Sequence, residues 1–273
     1  MKSVAVIGQG LWGKKIVNSL QNHFNDYEVE GLSSRNFLCN PPEKVYDVLW
    51  VAVQPSNQLK IVEIALSNSR RIILEKPIGA TLKDFSQIEK ILMRADTIFE
   101  LSRPWCFSNI WISAKEKIKS WDLHDSLVTF KRSGPLAHQY IPSIEDWLPH
   151  DVYLASDLFP SFENDFSIDF CSKTSNKIHL SMNSQAGAIL NFSFTESTTK
   201  ESIIEIRSAS GRLLVNLIQK KLEFDGQKCD IIIPNSYDEI SRNFNAVLHS
   251  DNKRIIQLVH TQKWIKSLID QTV

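Results

Sequence analysis

Three short stretches of the sequence contain residues whose types and spacing could do chemistry. Near the start, Gly8, Gly10 and Gly13 stand at the spacing G-x-G-x-x-G, which is typical of loops that bind phosphate groups. Further along, Lys76 follows an apolar run in ILEKPIG, and its ammonium group could polarise an oxygen atom. In DWLPHDVYLASDLF, the imidazole of His150 could relay a proton near neutral pH.

The glycine stretch lies between a predicted strand at 3–7 and a predicted helix at 11–20. Three glycines in an ordinary turn would show the same spacing, but a strand before them and a helix after them favour a phosphate-binding loop. Gly8 would permit the tight turn, Gly10 would let the backbone approach a diphosphate, and Gly13 would let the helix pack close to the strand. The amides at the helix N-terminus would then bind the phosphates. The loop residues that we assign to cofactor binding are Gly8, Gly10, Leu11, Trp12 and Gly13.

The end of the second predicted strand, Tyr27–Ser33, determines which dinucleotide fits. NAD-selective dehydrogenases place an acidic residue there, which binds the ribose 2′-hydroxyl. Here Ser34 leaves room for a 2′-phosphate and Arg35 can pair with it, whereas Glu30 lies too early on the strand. These residues favour NADP over NAD as the cofactor. A solvated turn with an incidental arginine is the alternative interpretation.

Lys76 stands directly after a short predicted strand at 71–74. Ligands of open α/β sheets bind beyond the carboxyl ends of the strands, which is where this side chain would project. An ammonium group there can bond a substrate hydroxyl and stabilise an oxyanion as a ketone is reduced. A surface pair of Glu75 and Lys76 before a turn is the alternative.

His150 is predicted to lie in the first turn of a helix that begins at Pro149. A histidine at this place suits proton relay, although a structural histidine in a helix is the simpler interpretation. The other histidines show no metal-ligand spacing such as H-E-x-x-H, and the cysteines form no C-x-x-C pair. We therefore expect no metal site.

The elements around these stretches predict two domains. Up to about residue 103, strands and helices alternate, which predicts a doubly wound parallel sheet. The further strands predicted in this part are Val45–Val53, Arg71–Leu74 and Thr97–Leu101, and the helices are Leu59–Leu66 and Leu82–Met93, with Thr81 as a cap. We expect a dinucleotide-binding Rossmann domain over 1–103.

The pattern changes after this point. Strand-like runs from Phe166 to Ile233, the last of them CDIIIP, predict an open and mostly antiparallel sheet. The helices predicted here are 108–119, 147–159, Phe244–Leu248 and Arg254–Ile269. We expect residues 104–273 to form an α+β domain for substrate binding and oligomerisation.

Composition and charge exclude several classes of function. The 273 residues include 31 Lys and Arg against 31 Asp and Glu, so the net charge is zero, and no long basic run is present. We therefore expect neither nucleic-acid binding nor membrane-surface binding. The four cysteines are far apart, which predicts reduced thiols. A strand begins at once and no apolar run approaches a membrane span, so we expect a cytoplasmic protein without a signal peptide.

Taken together, VAVIGQGLWG, ILEKPIG and DWLPHDVYLASDLF resemble the glucose–fructose oxidoreductase, inositol dehydrogenase and rhizopine-catabolism family. The resemblance runs in order over nearly the whole chain. It implies an N-terminal Rossmann domain and a C-terminal domain whose open sheet covers the nicotinamide face and mediates oligomers. We therefore expect a homo-oligomer, either a dimer or a tetramer.

The resemblance also implies roles for single residues. Lys76 matches the catalytic lysine, and His150 matches the histidine beside the reacting hydroxyl or ketone. Ser34 and Arg35 match the adenosine-ribose site in its NADP form. The residues that match the lining of the cofactor cleft are Pro55 and Glu75. Those that we assign to substrate binding are Arg103, Trp105, Trp147 and Asp151.

Some positions depart from the family pattern. The usual Thr-Pro that ends the third strand is Gln54-Pro55 here, and Gln58 stands near the position of the usual histidine. The usual H-x-x-D pattern becomes His150-Asp151, and the chain is short for the family. These departures weaken the assignment of a particular substrate.

The resemblance implies an oxidoreductase that uses NADP or NAD. Hydride would move between the nicotinamide and a secondary alcohol or ketone of a sugar or nucleotide-linked sugar. A non-catalytic dinucleotide-binding regulator on the same fold is one alternative. A reductase of a non-sugar imine or tetrapyrrole is another, because Trp105, Phe107 and Trp147 could line an apolar pocket.

Overall fold

The computed structural model describes residues 1–94, 96–135, 143–174, 176–233, 236–250, 259–260, 263 and 266–267. Two compact units are present: Met1–Pro104 with Tyr237–Trp264, and Trp105–Ser236 with Ile265–Val273. The first segment of unit 1 ends at Pro104, next to the expected boundary at 103. It also includes Tyr237–Trp264, which the sequence-based division placed in the second domain.

Unit 1 contains a five-stranded sheet in the order β2-β1-β3-β4-β5, and all its strand pairs are parallel. The strands are β1 (Lys2–Ile7), β2 (Tyr27–Leu32), β3 (Val48–Val51), β4 (Arg71–Leu74) and β5 (Ile98–Leu101). The helices are α1 (Leu11–His23), α2 (Ser34–Cys39), α3 (Pro55–Asn68), α4 (Leu82–Arg94) and, late in the chain, α8 (Glu239–Leu248). The predicted doubly wound parallel sheet is confirmed.

Three local details of unit 1 differ from the sequence-based prediction. Helix α2 was not predicted; the hydroxyl of Ser33 caps it by accepting a hydrogen bond from the amide of Asn36 at 3.1 Å. Helix α3 begins at Pro55 instead of Leu59, because proline suits the first turn of a helix. Strand β3 is shorter than Val45–Val53, with residue Tyr46 forming only an isolated bridge.

The predicted cap of α4 is confirmed. The amide of Asp84 donates to the Thr81 hydroxyl at 3.1 Å, and the Asp84 carboxylate accepts from the Thr81 amide at 2.9 Å. This reciprocal arrangement has the form of a capping box. It fixes the chain immediately after the ILEKPIG stretch.

Helix α8 belongs to unit 1 because it completes the hydrophobic core there. Phe244 is fully buried and stacks on Trp50 of β3, with ring centroids 6.1 Å apart. At the start of α8, the Asp238 carboxylate accepts from the amide of Ser241 at 2.8 Å and from the hydroxyl of Ser19 on α1 at 2.7 Å. Ser19 and Asp238 are 219 residues apart in sequence, and Trp50 is also distant from Phe244, so local patterns could not reveal these contacts.

Unit 2 contains an eight-stranded sheet in the order β13-β12-β11-β10-β6-β9-β8-β7. Its strands are β6 (Leu127–Gly134), β7 (Phe166–Lys173), β8 (Lys177–Ser184), β9 (Ile189–Glu196), β10 (Glu201–Ser208), β11 (Gly211–Asn216), β12 (Lys221–Phe224) and β13 (Gln227–Lys228). The pair β6–β9 is parallel and the other pairs are antiparallel. The predicted open, mostly antiparallel sheet is confirmed.

The helices described in unit 2 are α5 (Asn109–Lys117), α6 (Ser143–Leu158) and α7 (Phe162–Asp165), and a 3₁₀ turn spans Pro104–Phe107. The predicted helix start at Pro149 is wrong, because α6 begins at Ser143 and Pro149 lies inside it. Proline lacks an N–H donor, and it weakens a helix interior by about 3 kcal/mol. Burial of the neighbouring Leu148 and Val152 favours the continuous helix nevertheless.

The last predicted strand, CDIIIP at 229–234, is also wrong over its described residues 229–233. The amide of Cys229 still donates to the carbonyl of Leu222 in β12, at 2.8 Å. The amide of Ile232, however, donates to the hydroxyl of Ser113 on α5, at 2.7 Å. The backbone therefore leaves the sheet after β13.

The predicted helix Arg254–Ile269 falls largely outside the described residues. Over the part of the chain that the structure describes, no helix combines the length and the apolar character needed to cross a membrane.

Candidate functional site

The glycines between β1 and α1 differ in their steric surroundings. A Cβ atom at Gly8 would lie 2.1 Å from the carbonyl oxygen of Ala52, and one at Gly13 would lie 1.8 Å from the carbonyl oxygen of Gly8. Nothing lies within 4 Å of a Cβ atom at Gly10, which precedes α1 without a side-chain cap. Gly8 and Gly13 are therefore needed for the fold itself. Gly10 leaves open space beside the N-terminal amides of α1, which fits a bound diphosphate.

The two large side chains of this loop face different surroundings. Leu11 is 94% exposed, although it is apolar. Trp12 is partly exposed, and its indole lies near enough to the carboxyl group of Glu75, which follows β4, to lower the pKa of that carboxyl. The ammonium group of Lys15 lies 5.1 Å from the centre of the Trp12 ring. Trp12 thus connects the glycine loop with the ILEKPIG stretch.

The two residues predicted to select the dinucleotide stand in the first turn of α2, directly after β2. Ser34 is half-buried and Arg35 is exposed. Within the described residues, the Arg35 guanidinium has no ion pair or hydrogen bond, so its charge is available to a phosphate. Glu30 on β2 lies 3.5 Å from the ammonium group of Lys44. The acidic residue nearest the strand end is therefore already paired.

Glu75 is a buried carboxyl group at the carboxyl end of β4. Its Oε1 accepts a hydrogen bond from the indole of Trp50 at 3.0 Å. Burial raises the pKa of Glu75, while the nearby donor groups of Ser102, Trp12 and Trp50 and the charge of Lys76 act in the opposite direction. The second predicted residue of the cofactor cleft, Pro55, is buried at the start of α3.

Lys76 itself is half-buried, and the Lys76–Pro77 peptide bond is cis. The turn ends at Gly79, whose φ of +69° lies in the left-handed region that favours glycine. The positive charge of Lys76 acts to lower the pKa of the neighbouring Glu75 carboxyl. The predicted catalytic lysine therefore lies at the same sheet edge as the glycine loop, because β1 and β4 are parallel strands of one sheet.

Gln58 on α3 forms hydrogen bonds to the backbone of the turn 75–79. This residue was not assigned to the site from the sequence. Its Nε2 donates to the carbonyl of Glu75 at 2.6 Å, and its Oε1 accepts from the amide of Gly79 at 2.8 Å. The signal was present in the sequence, since Gln58 shares helical spacing with the buried residues Ile61 and Val62. A polar residue on an apolar helix face indicates a buried hydrogen-bond partner.

In unit 2, His150 lies on α6 beside two aromatic rings. Only 9% of its surface is exposed, and its ring centre lies 6.0 Å from that of Trp105 and 6.3 Å from that of Trp147. The structure thus brings together three of the residues predicted for catalysis and substrate binding in this part of the chain.

Asp151 follows His150 and is held in a buried ion pair with Arg132 of β6. The Arg132 Nε lies 2.7 and 2.8 Å from the two carboxylate oxygens, and its Nη2 lies 2.6 Å from Oδ1. The guanidinium also stands 5.7 and 5.4 Å from the ring centres of Trp105 and Trp147. Asp151, predicted to bind substrate, is engaged with Arg132, which sequence reasoning missed.

The remaining predicted substrate residue, Arg103, lies in unit 1 after β5. Its amide donates to the side-chain oxygen of the buried Asn243 on α8, at 3.1 Å. The predicted substrate residues are therefore divided between the two units. In the part of the chain described, no group of three or more His, Cys, Asp or Glu side chains could hold a metal ion.

Solved structures share this fold at low sequence identity. UDP-N-acetylglucosamine 3-dehydrogenase from Acidithiobacillus ferrooxidans matches with a TM-score of 0.76 at 11% identity, over 99% of this chain and 98% of that one. A dehydrogenase from Clostridium difficile matches with a TM-score of 0.76 at 13% identity, over 99% of both chains. Levoglucosan dehydrogenase in complex with NADH and L-sorbose matches with a TM-score of 0.72 at 13% identity, over 99% of this chain and 96% of that one.

At these identities the likeness shows a shared fold. No protein-family model matches the chain, and no curated protein matches its sequence.

We expect Glu75→Gln to change how the free energy of unfolding depends on pH. Burial raises the pKa of Glu75 in the folded protein above its unfolded value of about 4.3. Such a group stabilises the fold fully below the unfolded value, and this contribution is lost as the pH rises through the folded-state pKa. The wild type should therefore lose stability relative to Glu75→Gln as the pH rises from about 4. Urea-unfolding midpoints of both proteins measure this difference, and parallel curves would contradict the prediction.

Proposed function

We propose that the chain is an NAD(P)-dependent oxidoreductase that transfers a hydride between nicotinamide and a secondary alcohol or ketone of a sugar or nucleotide-linked sugar. One observation carries the proposal: the open glycine loop and the turn of Lys76 stand at one edge of a parallel sheet, where the Trp12 indole lies near the Glu75 carboxyl. Ligands of such sheets bind at this edge. The fold is similar to that of solved dehydrogenases, one of them in complex with NADH, which supports the same activity.

The residues of unit 1 fit a dinucleotide. The open space at Gly10 and the α1 amides would hold the diphosphate, and Arg35 would pair with a 2′-phosphate beside Ser34. We therefore propose NADP as the preferred cofactor. The nicotinamide supplies the hydride chemistry when it is bound.

Lys76 and His150 have separate roles in this proposal. The Nζ of Lys76 donates a hydrogen bond to the substrate oxygen and stabilises negative charge on it. His150 takes the hydroxyl proton when the alcohol is oxidised and returns it when the ketone is reduced. Lys76 thus favours the ionised oxygen, and His150 moves the proton.

The aromatic residues of unit 2 support a sugar as the substrate. Trp105 and Trp147 offer apolar ring faces, which suit the C–H groups of a pyranose or polyol. The buried pair of Arg132 and Asp151 holds these rings and α6 in place. Because its carboxylate is engaged with Arg132, we assign Asp151 to positioning within the substrate site. Removing one partner of such a buried pair destabilises a protein by about 3–5 kcal/mol.

We infer that the protein works in a reducing compartment, the cytoplasm, because Cys39, Cys106, Cys171 and Cys229 are all free thiols. We also propose a homo-oligomer, a dimer or a tetramer, that forms through the open sheet of unit 2. The family resemblance supports this assembly.

Gly10→Val should abolish dinucleotide binding and leave the fold intact. A Cβ atom at this position has no neighbour within 4 Å, and the valine side chain would fill the space in front of the α1 amides. Gly13→Val is the matched variant, which should lower the unfolding midpoint because its Cβ would overlap the Gly8 carbonyl. Titration with NADPH, followed by Trp fluorescence, and circular dichroism measure the two effects. Full NADPH affinity in Gly10→Val would place the dinucleotide elsewhere.

Arg35→Ala should weaken NADPH binding about ten- to a hundredfold, because it removes a charge-assisted contact with the 2′-phosphate. NADH, which lacks this phosphate, should bind with unchanged affinity. Arg94→Ala, at an exposed arginine of α4, is the control. Calorimetric titration of each variant with both cofactors measures the effect. An equal loss for NADH and NADPH would show that Arg35 does not recognise the phosphate.

Turnover tests the proposed function directly. The substrates to assay are those named for the similar structures, namely UDP-N-acetylglucosamine, levoglucosan and L-sorbose, each with both cofactors. With any sugar that reacts, His150→Ala should lower kcat by about 10²–10⁴ and Lys76→Ala by about 10²–10³. The double variant should lose less than the product of the two, because both groups act on one oxygen.

Matched controls are Lys83→Ala and His249→Ala, which change exposed residues of the same types. Normal kcat in Lys76→Ala would contradict the proposal. Tight NADPH binding without turnover of any sugar would instead favour the non-catalytic regulator.

A further inference from the structure

Gln58 forms two hydrogen bonds to the backbone of the turn that carries Lys76. Its Nε2 donates to the Glu75 carbonyl at 2.6 Å, and its Oε1 accepts from the Gly79 amide at 2.8 Å. These backbone groups belong to the first and last residues of the five-residue turn 75–79. One side-chain amide therefore closes the turn from end to end.

Burial of the Gln58 side-chain amide makes its hydrogen bonds to the turn energetically necessary. Gln58 is fully buried on the face of α3 that also contains Ile61 and Val62. An amide buried among apolar side chains is unfavourable unless its hydrogen bonds are formed. Both bonds of Gln58 are formed to the turn, and the turn groups would otherwise be buried without these partners.

The rest of the turn is fixed at its far end. Gly79 has a left-handed φ of +69°, and a Cβ atom there would lie 2.7 Å from the Cβ of Asp84. The Asp84 carboxylate in turn accepts from the Ala80 amide at 3.1 Å. The turn therefore has one anchor at α4 and another at α3, with Lys76 between them.

We propose that Gln58 is a positioning residue for Lys76: its two hydrogen bonds hold the Glu75–Gly79 backbone so that the ammonium group keeps one place at the sheet edge. This inference rests on the proposed role of Lys76 in the reaction. Displacement of a catalytic group by about 1 Å can lower a rate about a hundredfold. Gln58 touches neither cofactor nor substrate in this proposal and acts through the backbone alone.

The test compares Gln58→Met with Asn68→Leu. Methionine keeps the size of the side chain and removes both hydrogen bonds. Asn68 is the matched control, because it is a buried amide at the end of the same helix whose Nδ2 donates to the Pro42 carbonyl at 2.6 Å. Both variants lose buried amide bonds, but only Gln58→Met releases the turn of Lys76.

We expect Gln58→Met to lower kcat about ten- to a hundredfold, with the KD for NADPH changed less than about twofold. Asn68→Leu should lower the unfolding midpoint and leave kcat near the wild-type value. Gln58→His should retain more activity than Gln58→Met, because a neutral imidazole again offers one donor and one acceptor. Equal kcat values in Gln58→Met and Asn68→Leu, both near wild type, would overturn the proposal.

A second measurement does not depend on turnover. Lysines are methylated with ¹³C-formaldehyde, and the resonance of Lys76 is assigned by its loss in Lys76→Arg. We expect this resonance to shift or to split in Gln58→Met and to stay unchanged in Asn68→Leu. An unchanged resonance in Gln58→Met would overturn the proposal.

The two measurements separate the inference from the proposed function. If the wild type turns over none of the sugars, the proposed function fails, while the resonance still decides whether Gln58 holds Lys76. If Gln58→Met does not fold, Gln58→Asn provides the comparison, because its shorter amide cannot reach both the Glu75 carbonyl and the Gly79 amide. In that case a lower kcat and a shifted Lys76 resonance support the positioning role of Gln58, and wild-type values of both overturn it.

Discussion

The buried carboxyl group of Glu75 is the constraint around which the candidate site of unit 1 is arranged. A carboxyl group in the interior requires hydrogen-bond donors, because burial without them is strongly unfavourable. Trp50 provides one from β3, and the Trp12 indole of the glycine loop lies near the same carboxyl group. A residue that could have been an isolated surface acid thus connects the loop, the sheet and the turn of Lys76.

A second buried charge has the same effect in unit 2. Arg132 on β6 satisfies the Asp151 carboxylate on α6, and its guanidinium lies against both Trp105 and Trp147. Because neither charge can be left alone in the interior, the pair fixes how α6 lies on the sheet. His150, the preceding residue, is thereby fixed in its surroundings of aromatic rings. In both units, a proposed catalytic residue is adjacent in sequence to a buried carboxyl group that other side chains hold in place.

The core of unit 1 depends on a segment distant in sequence. Helix α8 buries Phe244 against Trp50, and Asn243 on the same helix accepts a hydrogen bond from the Arg103 amide after β5. The hydrophobic contribution of such a helix comes from the apolar area that it removes from water, whatever its position in the chain. A division by sequence order alone therefore assigned α8 to the wrong neighbours.

The sequence by itself determined the class of both sheets, the glycine loop between β1 and α1, the end of β4 just before Lys76 and the cap at Thr81. These features follow from local periodicity, from turn residues and from motifs whose residues are close together in the chain. Only the tertiary structure showed that Gln58 closes the turn of Lys76, that Asp151 pairs with Arg132, and that α6 continues through Pro149. Buried polar groups bond to partners that are near in space, and packing outweighs local propensity, so none of these three results can be derived from neighbouring residues alone.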